Sequence, residues 1–369
     1  MGSRKITRRG VLKSGATLAS VGVVGGLSGC SELVNDQNSD DESDGDSSGV
    51  TTDVPERANM VMSMSVTALL DDQALRDAVN DALAEQSPDD SMMPTTVTGA
   101  LDRVEEEGGV DPRKVNEVVL FGETEETEET DYVGWLTYTD WSAEEVTQLI
   151  EEYSGDDSDV ETEEYNGTTV YVSDDGDSET ERVAVLDDGT IVLGRAGATN
   201  DVIDARAGDG DAISGDVLSA WDAASGEYMK FAMDIEPEDL PEGEAQAAEQ
   251  TVEEIKYISG SVYASGDNRG VELQMEGGSE QDAEDIETSL DGWLALAEED
   301  AEDPQTEEFV RNTEISRSGT TVTVRNEVAM ETITPVVSKI VASFMMGLSG
   351  RSVGGGGYMT DSESGSAFA

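Results

Sequence analysis

From Pro55 onward the apolar and polar positions run in two alternating periods. Residues 58–69 place Met60, Met62 and Met64 on one side and Val61, Ser63 and Ser65 on the other, which predicts a strand. Helical spacing takes over at Asp71–Glu85, where Leu75, Val79, Ala82 and Leu83 form a stripe. It returns at 95–107 through Val97, Leu101 and Val104, with Gly108-Gly109 as the stop. Strands are expected at Val115–Phe121 and Tyr132–Tyr138. A helix follows at Ser142–Tyr153, where Ser142 and Glu145 have capping-box spacing. Glu161–Tyr165 and Thr168–Val172 flank Asn166-Gly167, a strong hairpin signal.

The second half runs through a similar order. A tight hairpin at Asp187-Asp188-Gly189 joins Val183–Leu186 to Ile191–Leu193. Helices are expected at 198–206 and 214–225, strands at 228–235, 256–265 and 270–276, a long helix at 280–299 and a hairpin at 311–328. GTTVYV at 167–172 is echoed by GTTVTV at 319–324, each opening the return strand of a hairpin after an amphipathic helix. The spacing is too long for a solenoid and fits a duplicated domain. The fold class expected is therefore α+β: two related modules of mainly antiparallel sheet with packed amphipathic helices, at 55–180 and 181–348. The second carries an acidic insert near 236–254. Ile333, Val336, Val337, Ile340, Phe344 and Leu348 predict a terminal helix. Lys339, Pro335 and its short apolar length favour a docked helix over a membrane span. A flexible Gly-rich tail is expected at 349–369.

Composition adds the environment. The 369 residues hold 83 Asp+Glu against 21 Lys+Arg, a formal charge of −62, yet 36% of residues are apolar and regularly placed. Such a chain can build a core, which sets it apart from a disordered polyanion. Only six of the basic residues are Lys, and acidic residues crowd the turns and exposed strand positions. At 1 M salt the Debye length is about 3 Å, so carboxylates that repel in dilute buffer are screened. The balance points to a protein built for molar salt and excludes nucleic acid as a partner, since phosphate binding needs Lys and Arg.

The strongest motifs stand at the amino terminus. Residues 1–29 contain Arg4, Lys5, Arg8, Arg9 and Lys13 and no acid. Thr7-Arg8-Arg9-Gly10-Val11-Leu12-Lys13 resembles a twin-arginine export signal, with Val11 where Phe is frequent, and a short Gly- and Ala-rich apolar stretch follows. Leu27-Ser28-Gly29-Cys30 resembles a lipobox, in which cleavage before the cysteine frees its thiol for a lipid thioether. A buried structural cysteine is the plainer reading, but the chain's single Cys stands at the end of a signal-type apolar stretch. Residues 1–29 are thus expected to be a signal peptide, and Cys30 the lipid attachment site. Residues 30–54, rich in Ser, Asp and Gly, are expected to form a disordered acidic tether. Asp40, Glu42, Asp44 and Gly45 open like a calcium loop, but Thr51 stands where the closing Glu belongs.

Taken together, these residues resemble the amino terminus of haloarchaeal twin-arginine-exported lipoproteins. The paired α+β modules are similar to large exported or membrane-anchored prokaryotic proteins. That resemblance implies export, a lipid anchor at Cys30 and an extracytoplasmic location on the cell membrane; it implies no activity.

The remaining candidate chemistry is thin. With no His and one Cys, the Ser-His-Asp triad, His-ligated zinc and CxxC sites are excluded, and no GxSxG elbow or phosphate-binding Gly loop occurs. No catalytic residue, metal site or cofactor is assigned. Asp174-Asp175-Gly176-Asp177 and Asp209-Gly210-Asp211 read as turns before they read as cation loops. The Met60/Met62/Met64 alternation reads as filler on a buried sheet face before it reads as a copper site. Asn166-Gly167-Thr168 is the chain's one N-glycosylation sequon, at an expected hairpin tip. The expectation is a non-enzymatic, lipid-anchored surface protein that binds an envelope protein partner. A ligand-capturing lipoprotein of the solute-binding type is the alternative.

Overall fold

The computed structural model describes residues 48–86, 94–123, 132–154, 160–173, 181–187, 189–234, 254–301 and 304–330. The signal peptide, Cys30, Asp174–Asp177, most of the acidic insert and the 331–348 segment lie outside these residues. Twelve strands form one antiparallel sheet. In chain order they are β1 (Met60–Ser65), β2 (Val115–Gly122), β3 (Val133–Thr139), β4 (Val160–Tyr165), β5 (Thr168–Ser173), β6 (Glu181–Asp187), β7 (Thr190–Arg195), β8 (Met229–Asp234), β9 (Ile255–Ser265), β10 (Asn268–Gly277), β11 (Glu314–Ser318) and β12 (Thr321–Ala329). Their spatial order is β11-β12-β10-β9-β8-β1-β2-β3-β7-β6-β5-β4. The α+β class with mainly antiparallel sheet is what the patterning predicts.

The order has a near-symmetric centre. Meanders β1-β2-β3 and β8-β9-β10 run outward from a seam where β1 pairs with β8, Val61 opposite Ala232 and Ser63 opposite Lys230. The two GTTV segments open β5 and β12, the return strands of the outermost hairpins at opposite ends of the sheet. The halves differ by one insertion. Hairpin β6–β7 sits between β3 and β5, whereas β12 pairs directly with β10. Residues 181–195, grouped with the second module by sequence, thus extend the sheet on the first module's side.

Helices clad the two faces unequally. The described helices are α1 (Ser48–Asp53), α2 (Val66–Asp71), α3 (Gln73–Gln86), α4 (Val97–Gly108), α5 (Ala143–Ser154), α6 (Ala196–Ala207), α7 (Gly215–Ala223), α8 (Glu280–Asp300) and α9 (Pro304–Arg311). Cross-strand register puts Val61, Val119, Phe121, Leu136, Val170, Ala184, Val192 and Ala232 on one face. There they pack with Val50 and Val54, with Ala198, Val202 and Ile203 of α6, and with Val217, Ala220 and Trp221 of α7. On the opposite face, Ala283, Ile286 and Leu290 of α8 pack on Leu273, Met275, Val322 and Val324.

Three expectations are corrected here. The buried members of β1 are Val61 and Ser63, while Met60, Met62 and Met64 are only half-buried, because the deeper core lies under α1, α6 and α7. Residues 48–54 are not tether: they form α1 and its exit, and Val50 and Val54 are fully buried. Isolated apolar residues in a polar tract give no periodicity, so this docking left no pattern to read. The strand expected to run to residue 69 stops at Ser65, whose side chain accepts from the Ala68 N–H and starts α2. Helix α9 was not expected.

Candidate functional site

Among the described residues α1 comes first in the chain, and three charged or phenolic groups hold it in place. Asp53, its last residue, is buried. Its Oδ2 accepts from the Tyr138 hydroxyl at 2.9 Å and from Arg206 Nη1 at 2.5 Å, and its Oδ1 accepts from Thr52 Oγ1 at 2.9 Å. Tyr138 comes from the end of β3, and Arg206 from the last turn of α6, where a cation also complements the helix dipole. The second arm of Arg206 reaches Asp187 on β6. Burial, followed by the neighbouring Asp53 charge, pushes the Tyr138 phenol far above its ordinary range, so it stays a hydrogen-bond donor. Backbone bonds complete the fastening: Ile213 N–H donates to Val54 O at 2.7 Å, and Glu56 N–H to Asp211 O at 3.0 Å.

A shallow cleft of about 490 Å³ opens beside this clamp, lined by Thr51, Thr52, Asp53, Arg206 and Asp211 among others. Two of its three ionic groups are already partnered, Asp53 by Arg206 and Arg206 by Asp187 as well. Asp211 at its rim is exposed, while Asp53 and Arg206 are engaged in fastening α1.

A second clamp joins the halves. Asp72, between α2 and α3, accepts at Oδ2 from Arg269 Nε (2.7 Å), Arg269 Nη2 (2.5 Å) and the Tyr228 hydroxyl (2.6 Å). Its Oδ1 caps α3 through the N–H groups of Ala74 (2.9 Å) and Leu75 (3.1 Å). Tyr228 precedes β8 and Arg269 belongs to β10, so one carboxylate from the first half gathers two groups of the second. Burial alone would raise the Asp72 carboxyl. Hydrogen bonds from Tyr228, Arg269 and Leu75 outweigh it and hold the group below its ordinary range.

The residues singled out by sequence fall apart spatially. Arg8, Arg9 and Cys30 lie outside the described residues. Asn166 is at the β4–β5 tip with φ 45°, followed by Gly167 at φ 80°, the pair of positive angles that a two-residue hairpin turn requires. Its Nδ2, the atom an N-glycan would occupy, donates to Asp204 (3.1 Å) and Asp209 (3.0 Å). Asp209 and Gly210 donate their N–H groups to Asp204 O, which is turn chemistry after α6. Trp135 points to the methionine face and is 42% exposed. Tyr138 points to the other face, and Trp141 Nε1 is bonded to Asp111 O at 3.1 Å.

Among the described residues, no group of three carboxylates is arranged to hold a metal ion, and no helix is long and apolar enough to cross a membrane. Sequence reasoning missed both clamps. The scarcity of cations was the available signal: in so acidic a chain, an Arg inside a helix or strand marks a place where a carboxylate must be held.

No family model and no curated protein matches this sequence. Among solved structures the chain is similar to TP0453. With its crystal form III it shares 9% identity over 78% of this chain and 97% of that one, at a TM-score of 0.44. With form I the figures are 10%, 79%, 96% and 0.41. With form IV they are 9%, 78%, 96% and 0.42.

Proposed function

We propose that this chain is a lipid-anchored extracytoplasmic surface protein of a halophilic archaeon, exported through Arg8-Arg9 and attached to the membrane at Cys30. In this reading it is a non-enzymatic protein-binding or envelope accessory module. The observation that carries it is the succession of twin-arginine motif, lipobox cysteine and Ser/Asp-rich linker, ending at a helix clamped into the core. Residues 31–47 could span about 60 Å if fully extended. That is enough to hold the folded part clear of a membrane surface, and a diacyl-type anchor supplies the two chains that stable attachment needs.

Both outer strands argue against partner binding by strand addition. The β4 edge carries exposed Glu161, Glu163 and Glu164, and β11 carries exposed Arg317, the charged edges that discourage pairing. A partner would be received on a face, and half-exposed Trp135 and Val271 on the methionine face are the available apolar contacts. The cleft beside Asp53 and Arg206 favours the second reading, a ligand-capturing lipoprotein; the mutual pairing of those two charges weighs against it.

Cell fractionation tests the anchor. Cys30→Ser should release the protein or leave it uncleaved, and Arg8→Lys with Arg9→Lys should trap it inside the cell. Retention of both variants on washed membranes would refute the model. Crosslinking on intact cells at native salt tests the accessory role: a recurrent protein partner supports it, and self-crosslinks alone shift the weight to ligand capture.

A further inference from the structure

Beneath α7 the core is not wholly apolar. Strand pairing sets Ser63 of β1, Lys230 of β8 and Ser261 of β9 side by side on the face that α7 covers. Trp221 of α7, fully buried, lies over Lys230, whose Nζ is 4.6 Å from the centre of its ring. Two polar atoms here are sealed from solvent without a hydrogen-bond partner: Nε1 of Trp221 and Oγ of Ser261, in residues only 0% and 1% exposed. Native cores rarely leave such groups unsatisfied, so an orphaned donor points to something that fills the gap. Among the described residues no carboxylate lies within ion-pair distance of Lys230. Burial pulls the Lys230 ammonium below its ordinary range, and Asp222 and Glu117, at longer range, offset this only in part.

The set is donor-rich. An ammonium and an indole N–H can only donate, and a serine hydroxyl rotates to donate as well. The nearby Glu117 carboxyl already receives the Ser63 hydroxyl, and burial raises it toward its neutral form. Space is short: a Cβ on Gly226 would come within 2.6 Å of the Ser261 Cβ, so the chain closes tightly over the serine. We infer that Lys230 Nζ, Trp221 Nε1 and Ser261 Oγ form a binding site for a small monatomic anion, a halide. A sphere of single negative charge accepts donors from any direction, whereas a carboxylate or phosphate needs room for several oxygens. In a protein suited to molar salt, chloride is the anion at hand, and its binding joins α7 to the β8–β9 pair beside the central seam.

The test uses the full chain with bromide as the probe. Crystals grown in sodium bromide should show an anomalous peak between Lys230, Trp221 and Ser261. Thermal unfolding in sodium chloride against sodium gluconate at matched sodium supplies the second readout. The chloride-minus-gluconate difference in Tm should exceed that of Lys230→Met and of Trp221→Phe by about 2–4 °C. Comparing each variant with wild type cancels the general effect of the salts on apolar burial. Absence of the bromide peak, or a wild-type salt difference equal to that of both variants, overturns the inference and assigns the gap to water. If neither variant folds, the bromide map of the wild-type protein decides.

Discussion

Replacing Arg269 by Met tests the clamp between the halves. Arg269 and Asp72 are each only 7% exposed at the side chain, so this ion pair is shielded on both sides. The substitution keeps an unbranched apolar stem of similar reach but removes two of the five hydrogen bonds that the Asp72 carboxylate accepts. Removing one partner of a buried pair typically costs about 3–5 kcal/mol, because the other charge is left buried and unpaired. Here Tyr228 and two backbone N–H groups still serve the carboxylate, which places the expected loss near the lower end, about 3 kcal/mol. The double variant Asp72→Asn, Arg269→Met carries no charge, and Asn keeps a competent cap on α3. It should recover part of the loss and settle about 1–2 kcal/mol below wild type, a positive coupling in a double-mutant cycle.

Urea unfolding at constant molar salt is the assay, since urea leaves ionic strength alone. The pH dependence supplies a second check. Asp72 is held below its ordinary 3.8, so the stability it contributes is fully present above that pH and is lost as pH falls through the lower folded value. In Arg269→Met the carboxyl rises, protonation relieves the unpaired charge, and the deficit against wild type should shrink on acidification. A loss below about 1 kcal/mol, or a double variant no more stable than Arg269→Met, would refute the view that this pair is desolvated and coupled.

Two further substitutions probe the fold locally. Gly134 on β3 lies against the ring of Phe121, which a Cβ would overlap, so Gly134→Ala should cost about 1–3 kcal/mol by the same unfolding assay. Ser142→Ala removes the hydroxyl that donates to Glu145 and accepts its N–H at the start of α5, at about 1 kcal/mol. Lys114 first, then the Ser142 N–H and hydroxyl, hold the Glu145 carboxyl down at about 2, and the same variant should raise that value in a carboxylate NMR titration.

Local chemistry was well written in the sequence. Asn166-Gly167 marked the β4–β5 turn, Ser142 and Glu145 marked the start of α5, Gly109 ended α4 in a left-handed conformation, and the GTTV echo fell on matching strands. These signals act over a few residues, where one side chain decides the backbone. The β1–β8 seam was not legible, because it joins segments almost 170 positions apart and neither strand's alternation names its neighbour. Parity alone also could not say which side of β1 would lie deeper. That was decided by α6 and α7, whose residues follow it by more than a hundred positions. Asp53 and Asp72 were hidden for a simpler reason. Among 83 acidic residues a buried carboxylate looks like any solvated one until its arginine and tyrosine are found beside it.

The position of β1 has a mechanical consequence. A pull on the chain ahead of Ser48 first loads α1, which its arginine, tyrosine and backbone fastenings resist. Any force that passes α1 enters β1, the strand with β8 on one side and β2 on the other. Five paired residues on one flank and six on the other share the load in parallel. The sheet is therefore gripped at its middle, and drag on the body is divided between both halves, with neither outer hairpin peeled away first.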